Sequence, residues 1–456
     1  MLNKLKKHLT KYKLPLSIVI APAIFLISAG AVSKINNERE LIAYLTKTIE
    51  ADNLINPDVR YYKQKIKPEE LPKYRLVLWD YWKQANKKRL ATWPSLNNAT
   101  TLDSVKWQLP DDKQMLFSIS KKGEKPAAGY PLFINLHGGG TFPQEPGPWT
   151  SKANDREWLA AKTLGSRYDD AASLYFVPRM PDDRRGRWYH RAAATAWIRA
   201  WQLGVLSGDI DASRTYILGI SEGGYGSFRM GIFFADYFAG AGPMAGSIWK
   251  EQEHIENLRN TAFFIGMGEN DFAYDRITNA RNWKIMLDSA ASKNRGQFVH
   301  KVDIQAGKGH GIDYFKASPW LKQFKRKSYP DTLSMVYYAQ CDTIYGGELN
   351  RPCTYRNGFG YVRLDGLSKT GERRFYIEKE ANTYHINSDD IKGHVQGKIR
   401  LYIDRIDFKN AVKVNYNGKL VFNKKLTPNI GTMAESLALF GDPERIFPAS
   451  VDLNVR

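Results

Sequence analysis

The sequence predicts an α/β fold: a mainly parallel sheet with helices on both faces, joined to an all-β, sandwich-like C-terminal domain. Between residues 105 and 328, short apolar runs alternate with helical stretches. Runs at 114–119, 131–136, 174–177, 215–218, 262–265 and 298–302 read as strands, and 157–164, 191–206, 224–234 and 279–292 read as helices. Strands that are apolar throughout and separated by helices imply βαβ units, because only a sheet covered on both sides buries such runs. From residue 329 the texture changes to short alternating strands at 332–338, 375–380, 383–386, 399–403 and 412–421. Within the last run, Asn417-Gly418 marks a two-residue hairpin turn, since both residues tolerate the positive φ that such a turn needs. Regularly spaced strands without helices give the second domain, 329–456.

The 456 residues exceed one ordinary domain. Residues 32–104 read as a helical extension, with Leu41, Ile42, Leu45 and Ile49 at helical spacing and a second such stretch at 76–88. No chemical motif occurs in it. Residues 1–31 read as a signal peptide or N-terminal membrane anchor. Lys4, Lys6, Lys7, Lys11 and Lys13 precede an uncharged apolar stretch, Leu14 to Ala31, that ends in Ala29-Gly30-Ala31. That ending is the small-x-small pattern of a cleavage site, while the stretch is also just long enough to span a membrane uncleaved. Both readings place the rest of the chain outside the cytoplasmic membrane, in the periplasm or beyond, because the lysines stay inside.

The strongest chemical signal is Gly219-Ile220-Ser221-Glu222-Gly223, which follows the strand 215–218 directly and opens the helix near Gly224. A serine on a sharp strand-to-helix turn is held out from the sheet, and flanking glycines are needed where a Cβ would strike neighbouring backbone. The helix behind it offers free N–H groups to a developing oxyanion. A second signal, His137-Gly138-Gly139-Gly140, follows the strand 131–136. A glycine-rich loop there supplies an oxyanion-hole N–H that pairs with the amide after the nucleophile, here Glu222.

A serine nucleophile needs a base, and the base needs an orienter. In this architecture both follow the serine, acid first and histidine second. Asp271 sits in Gly266-Met267-Gly268-Glu269-Asn270-Asp271, just past a strand's C-terminal end, with Glu269 and Asp275 as rivals. Among the later histidines, His310 lies in the glycine-framed loop Gly307-Lys308-Gly309-His310-Gly311. His300 falls within a strand and reads as packed, His254 lies on a charged helical segment, and His385 and His394 belong to the β-rich tail.

Residues 209–224, Asp-Ile-Asp-Ala-Ser-Arg-Thr-Tyr-Ile-Leu-Gly-Ile-Ser-Glu-Gly-Gly, resemble the nucleophile region of secreted α/β-hydrolases of the esterase and depolymerase branch. These are relatives of polyhydroxybutyrate depolymerases, feruloyl esterases and esterase D. The resemblance covers roughly 105–325 and implies cleavage of carboxylic esters, in small or polymeric substrates, through an acyl-enzyme intermediate and without cofactor or metal. It places Ser221 on the nucleophile, Asp271 on the acid, His310 on the base, and Gly138, Gly139 and Glu222 on the oxyanion hole. Glu222 departs from the small polar residue that many relatives carry. The tail, at 414–422 and 441–449, is similar to a β domain appended to some secreted hydrolases of this group. Two other readings stand beside the esterase. One is a prolyl-oligopeptidase-type serine peptidase, which uses the same triad; the other is a non-catalytic envelope- or carbohydrate-binding protein.

The loop Pro181-Asp182-Asp183-Arg184-Arg185-Gly186-Arg187-Trp188-Tyr189-His190 is expected on the same sheet edge as Ser221. Arg187 is a candidate partner for a substrate carboxylate and Trp188 a candidate stacking surface; the competing reading is a solvated loop whose charges pair with one another. Cys341 and Cys353 are the only cysteines, and outside the cytoplasm they are expected to form a disulfide across a hairpin-like loop, with two separate buried thiols as the alternative. A formal charge of +20 suits an acidic polysaccharide or a membrane surface as partner, or simply a solvated basic exterior. No recognition motif for nucleic acid is present.

Overall fold

A computed structural model of the chain describes residues 35–51, 54–96, 101–109, 114–188, 191–340, 343–344, 347–348 and 354–456. The expected signal or anchor at 1–31 and the expected Cys341–Cys353 pair lie outside them. The compact unit that ends at Arg39 contributes only residues 35–39, a turn leading into the first helix; residues 40–456 form the second unit.

The sheet at the centre has eight strands: β1 (Thr101–Gln108), β2 (Gln114–Lys122), β3 (Tyr130–Leu136), β4 (Ser173–Pro178), β5 (Ile210–Ile220), β6 (Gly240–Met244), β7 (Ala262–Gly268) and β8 (His300–Gln305). Their order is β1-β2-β4-β3-β5-β6-β7-β8. β2 runs antiparallel to both β1 and β4, and every later pairing is parallel. This is the α/β-hydrolase order. Two strands escaped the sequence reading. β1 is a polar edge strand paired on one side only, and β6, Gly-Ala-Gly-Pro-Met, carries no β-branched residue; each is a strand because of its neighbours.

Helices α1 (Glu38–Glu50), α2 (Val59–Lys63), α3 (Leu71–Ala85) and α4 (Lys87–Leu90) precede the sheet, and α5 (Lys152–Arg167), α6 (Arg191–Ser207), α7 (Glu222–Phe233), α8 (Arg276–Lys293) and α9 (Ala317–Leu321) are woven into it. Successive residues of one strand point to opposite faces, and β7 shows the result. Phe263 meets Phe228 of α7, which in turn meets Trp283 of α8. Phe264 turns the other way, to Trp320 of α9. Residues of α5 and α9 share one core cluster with Phe133, Tyr175 and Tyr216, while Trp197 of α6 lies on Phe176. Helices therefore cover both faces.

The C-terminal region has two larger sheets. One joins Gly358–Phe359, Val362–Arg363, Gly397–Ile403 and Ala449–Val455; the other joins Lys419–Lys424, Val412–Tyr416, Thr383–Lys392, Glu372–Glu380 and Thr332–Tyr337. Their facing side chains, among them Met335, Phe375 and Ile386 from one and Val362, Leu401 and Leu453 from the other, form a single buried cluster. Asn417 and Gly418 both take positive φ at the expected hairpin tip. A helix unanticipated by the strand pattern, α10 (Ile430–Phe440), also lies here, capped by Asn429, whose side chain accepts from the Thr432 N–H at 2.8 Å. The N-terminal helices are bound to this region. Tyr62 hydrogen-bonds Glu435 of α10, and Arg75 reaches Asp404 at 2.7 Å and the Ile446 carbonyl at 3.1 Å.

The C-terminal region is locked to the α/β region by buried ions. Arg445 meets Asp236 at 2.7 Å and Asp442 at 2.5 Å, Arg326 meets Asp442 at 2.6 Å, and Arg356 also pairs with Asp236. Burial alone would raise the Asp442 carboxyl, yet Arg326 and Arg445 pull it down to about 2.

Candidate active site

Ser221 stands between β5 and α7 with φ 56° and ψ −114°, a backbone state that an L-residue adopts only when its surroundings impose it. The surroundings here are close. A Cβ on Gly219 would lie 2.3 Å from the Gly223 carbonyl oxygen, and one on Gly223 would lie 2.1 Å from that of Leu136. The Ser221 N–H donates to the Met244 carbonyl of β6 at 2.9 Å, and its own carbonyl accepts from the Tyr225 N–H at 3.0 Å. The turn is thus fixed from both ends.

Three groups converge at this point. His310 Nε2 is 3.0 Å from Ser221 Oγ, and its Nδ1 is 2.7 Å from Asp271 Oδ2. Asp271 is buried at 3% exposure, whereas the His310 side chain is 44% exposed; solvent reaches the imidazole but not the acid. The rival acids lie elsewhere. Glu269 caps the Gly307 N–H at 2.9 Å, and Asp275 is the residue before α8. Sequence reasoning missed Arg276. It donates to Asp271 Oδ1 at 3.0 Å and, through Nε, to the Tyr225 hydroxyl at 2.9 Å. A basic residue five positions past the acid at a helix start was the available signal, and it is too common to be read alone.

The glycine loop after β3 lies beside the serine, where a Cβ on Gly138 would approach the Ile220 carbonyl. Gly139 has φ +99°, and a Cβ on it would collide with Asn154 Oδ1. Asn154 grips the loop by accepting from the Gly140 N–H at 3.0 Å and donating to the Gly140 carbonyl at 3.1 Å. It is held in turn by Asp183 at 2.7 Å, and Asp183 takes two bonds from Arg179 at 2.6 and 2.8 Å. His137 is buried, accepts from the Met180 N–H through Nε2 at 3.0 Å, and so carries its proton on Nδ1, which donates to the Gly138 carbonyl at 2.6 Å. Burial, reinforced by nearby Arg179, pushes His137 down to about 3. The amides of Gly138 and Gly139 donate to no acceptor among the described residues. As the first residue of α7, Glu222 has no intrahelical acceptor for its own amide.

Two expected substrate contacts are corrected. Trp188 is fully buried, donates from Nε1 to the His137 carbonyl at 3.0 Å and stands edge-on to the His137 ring at 4.8 Å. It supports the glycine loop from below and has no face to offer a ligand. Arg187 is 8% exposed, and its guanidinium bonds the Glu222 carboxylate at 2.6 Å. It turns inward because a buried carboxylate is there to receive it. Phe272 and Tyr274, 68% and 61% exposed, lie in the loop after Asp271, and the Arg276 guanidinium stands 4.9 Å from the Tyr274 ring centre.

No protein-family model matches the sequence, and no curated protein matches it either. Among solved structures, the chain is similar to a thermostable esterase at 20% identity, with a TM-score of 0.36 over 50% of this chain and 64% of that one. It is also similar to a ferulic acid esterase at 15% identity and TM-score 0.35, over 49% of this chain and 98% of that one. A third is the S-formylglutathione hydrolase FrmB of Staphylococcus aureus, at 13% identity and TM-score 0.34, over 49% and 95%.

Proposed function

We propose that the protein is a serine hydrolase that cleaves carboxylic esters through Ser221, His310 and Asp271. The observation that carries this reading is His310 bridging Ser221 Oγ and buried Asp271 at hydrogen-bond distance, with the serine on a strained strand-to-helix turn. The chemistry follows from the geometry. His310 Nδ1–H donates to Asp271, which leaves Nε2 as the acceptor for the Ser221 proton. Ser221 Oγ attacks the ester carbonyl carbon as its proton moves to Nε2. The carbonyl π pair becomes the oxyanion, facing the amides of Glu222 and of the Gly138–Gly139 turn. The tetrahedral intermediate collapses, the C–O bond to the alcohol breaks, and His310 returns the proton to the leaving oxygen. Water repeats the sequence on the acyl-enzyme and releases the acid.

The experiment is fluorophosphonate labelling with peptide mapping, together with hydrolysis of p-nitrophenyl acetate. Wild type is expected to label at Ser221 and to turn over, while Ser221→Ala loses at least about 10⁵-fold in kcat with an unchanged Tm. Retained activity in a folded Ser221→Ala protein would end the assignment, and hydrolysis of peptides but no ester would move it to a peptidase.

A further inference from the structure

The residue after the nucleophile is a glutamate, and its place is chemically awkward. The Glu222 amide faces the position where negative charge develops, while the Glu222 side chain carries a carboxylate within about 6 Å of that same amide. The side chain does not escape to water, being 6% exposed. Of its two oxygens, Oε2 accepts from Arg187 at 2.6 Å, and Oε1 is buried without a hydrogen-bond partner among the described residues. Arg187 is brought to this point by the loop after β4 with φ 68°, a conformation that a non-glycine residue adopts only when its surroundings impose it. An arginine held at positive φ, desolvated and bonded to the carboxylate beside the nucleophile is more than a surface ion pair.

On the reading of the site given above, we infer that Arg187 is a positioning residue for the oxyanion hole: it neutralises the Glu222 carboxylate so that the transition-state oxyanion can form one residue away. A uncompensated unit charge at about 6 Å, with an effective dielectric of about 20, opposes the oxyanion by about a hundredfold in rate. The charged and titratable groups around Glu222 are Arg187, Arg229 on its own helix, Arg276 at the start of α8, and, across Ser221, His310 with Asp271. Burial raises the Glu222 carboxyl, and these arginines oppose that rise, Arg187 most strongly. Removing Arg187 raises it further. Relative to wild type at the same pH, the variant is then fastest where Glu222 is neutral and falls behind as pH rises and the carboxyl ionises.

The test measures kcat and KM for p-nitrophenyl acetate from acidic to alkaline pH in wild type, Arg187→Met, Arg187→Lys and Arg187→Met/Glu222→Gln. Arg187→Met is expected to lose up to about a hundredfold in kcat at alkaline pH, with KM nearly constant and with a declining alkaline limb that wild type lacks. Arg187→Lys keeps the charge and removes the decline. In the double variant the decline disappears and most of the lost kcat returns, which a purely structural role for Arg187 would not allow. Should Arg187→Met not fold, Arg187→Gln is expected to show the same alkaline limb. The inference is overturned if the folded single variant keeps wild-type kcat at alkaline pH, or if the double variant is as slow as the single at every pH. A wild-type protein that neither labels nor turns over would overturn the reading of the site as well.

Discussion

Two of the buried arginine–carboxylate clusters in this molecule are built differently. At the junction with the C-terminal region, Asp236 and Asp442 are surrounded by Arg326, Arg356 and Arg445, and each acid takes bonds from two guanidinium groups. Beside Ser221, Glu222 takes one such bond, from Arg187, and leaves an oxygen bare. A shared buried network holds geometry, because each acid is compensated by two guanidinium groups and loss of one member weakens several pairs at once, even though Arg326 Nε and Arg445 Nη2 have no hydrogen-bond partner among the described residues. A carboxylate with one hydrogen-bonded guanidinium leaves the local charge dependent mainly on that partner, with Arg229 and Arg276 acting at longer range. On the inference drawn above, arginine–carboxylate pairing serves rigidity in one region and electrostatic tuning in the other.

The comparison breaks most visibly at the junction. Asp442→Asn takes one buried carboxylate from both Arg326 and Arg445, leaving them Glu444 and Asp236 alone, and it is expected to cost about 3 kcal/mol of stability, read as a large fall in Tm. Fluorophosphonate labelling of Ser221 below the transition should survive. Loss of labelling in a protein still folded by circular dichroism would show that the two regions are not independent in this sense.

A smaller effect sharpens the same contrast with pH. His137 ordinarily titrates near 6.5 but is held at about 3 in the fold, so between those values the unfolded chain binds a proton that the native state refuses. Its contribution is complete above pH 6.5 and is lost as pH falls towards 3, about 2 kcal/mol by pH 5. His137→Gln should flatten this part of the stability–pH curve relative to wild type; identical slopes would mean that the imidazole is not kept neutral in the fold.

The smallest expected change concerns the elbow itself. Ser221→Gly relieves the positive φ and should gain about 1 kcal/mol, seen as a modest rise in Tm in a protein without esterase activity. No rise would mean that the turn stores no appreciable strain.

Much of this was legible in the chain. Alternation of apolar runs with helical stretches gave the parallel sheet, since a strand buried on both faces must be apolar throughout. Glycines flanking Ser221 and following His137 marked the two turns, since only glycine permits such close backbone approach. The order serine, Asp271, His310 named three side chains that the fold brings within hydrogen-bond distance, since residues that follow β5, β7 and β8 share one sheet edge. Tertiary structure alone decided the rest. It paired Gly240–Met244 as a strand between β5 and β7, made a helix of 430–440 against α2 and α3, turned Trp188 under the glycine loop and directed Arg187 to Glu222. Sequence determines what depends on local periodicity and on backbone freedom at a named residue. Where an arginine ends, in solvent or on a buried carboxylate thirty-five positions away, depends on which charges the fold has already taken out of water.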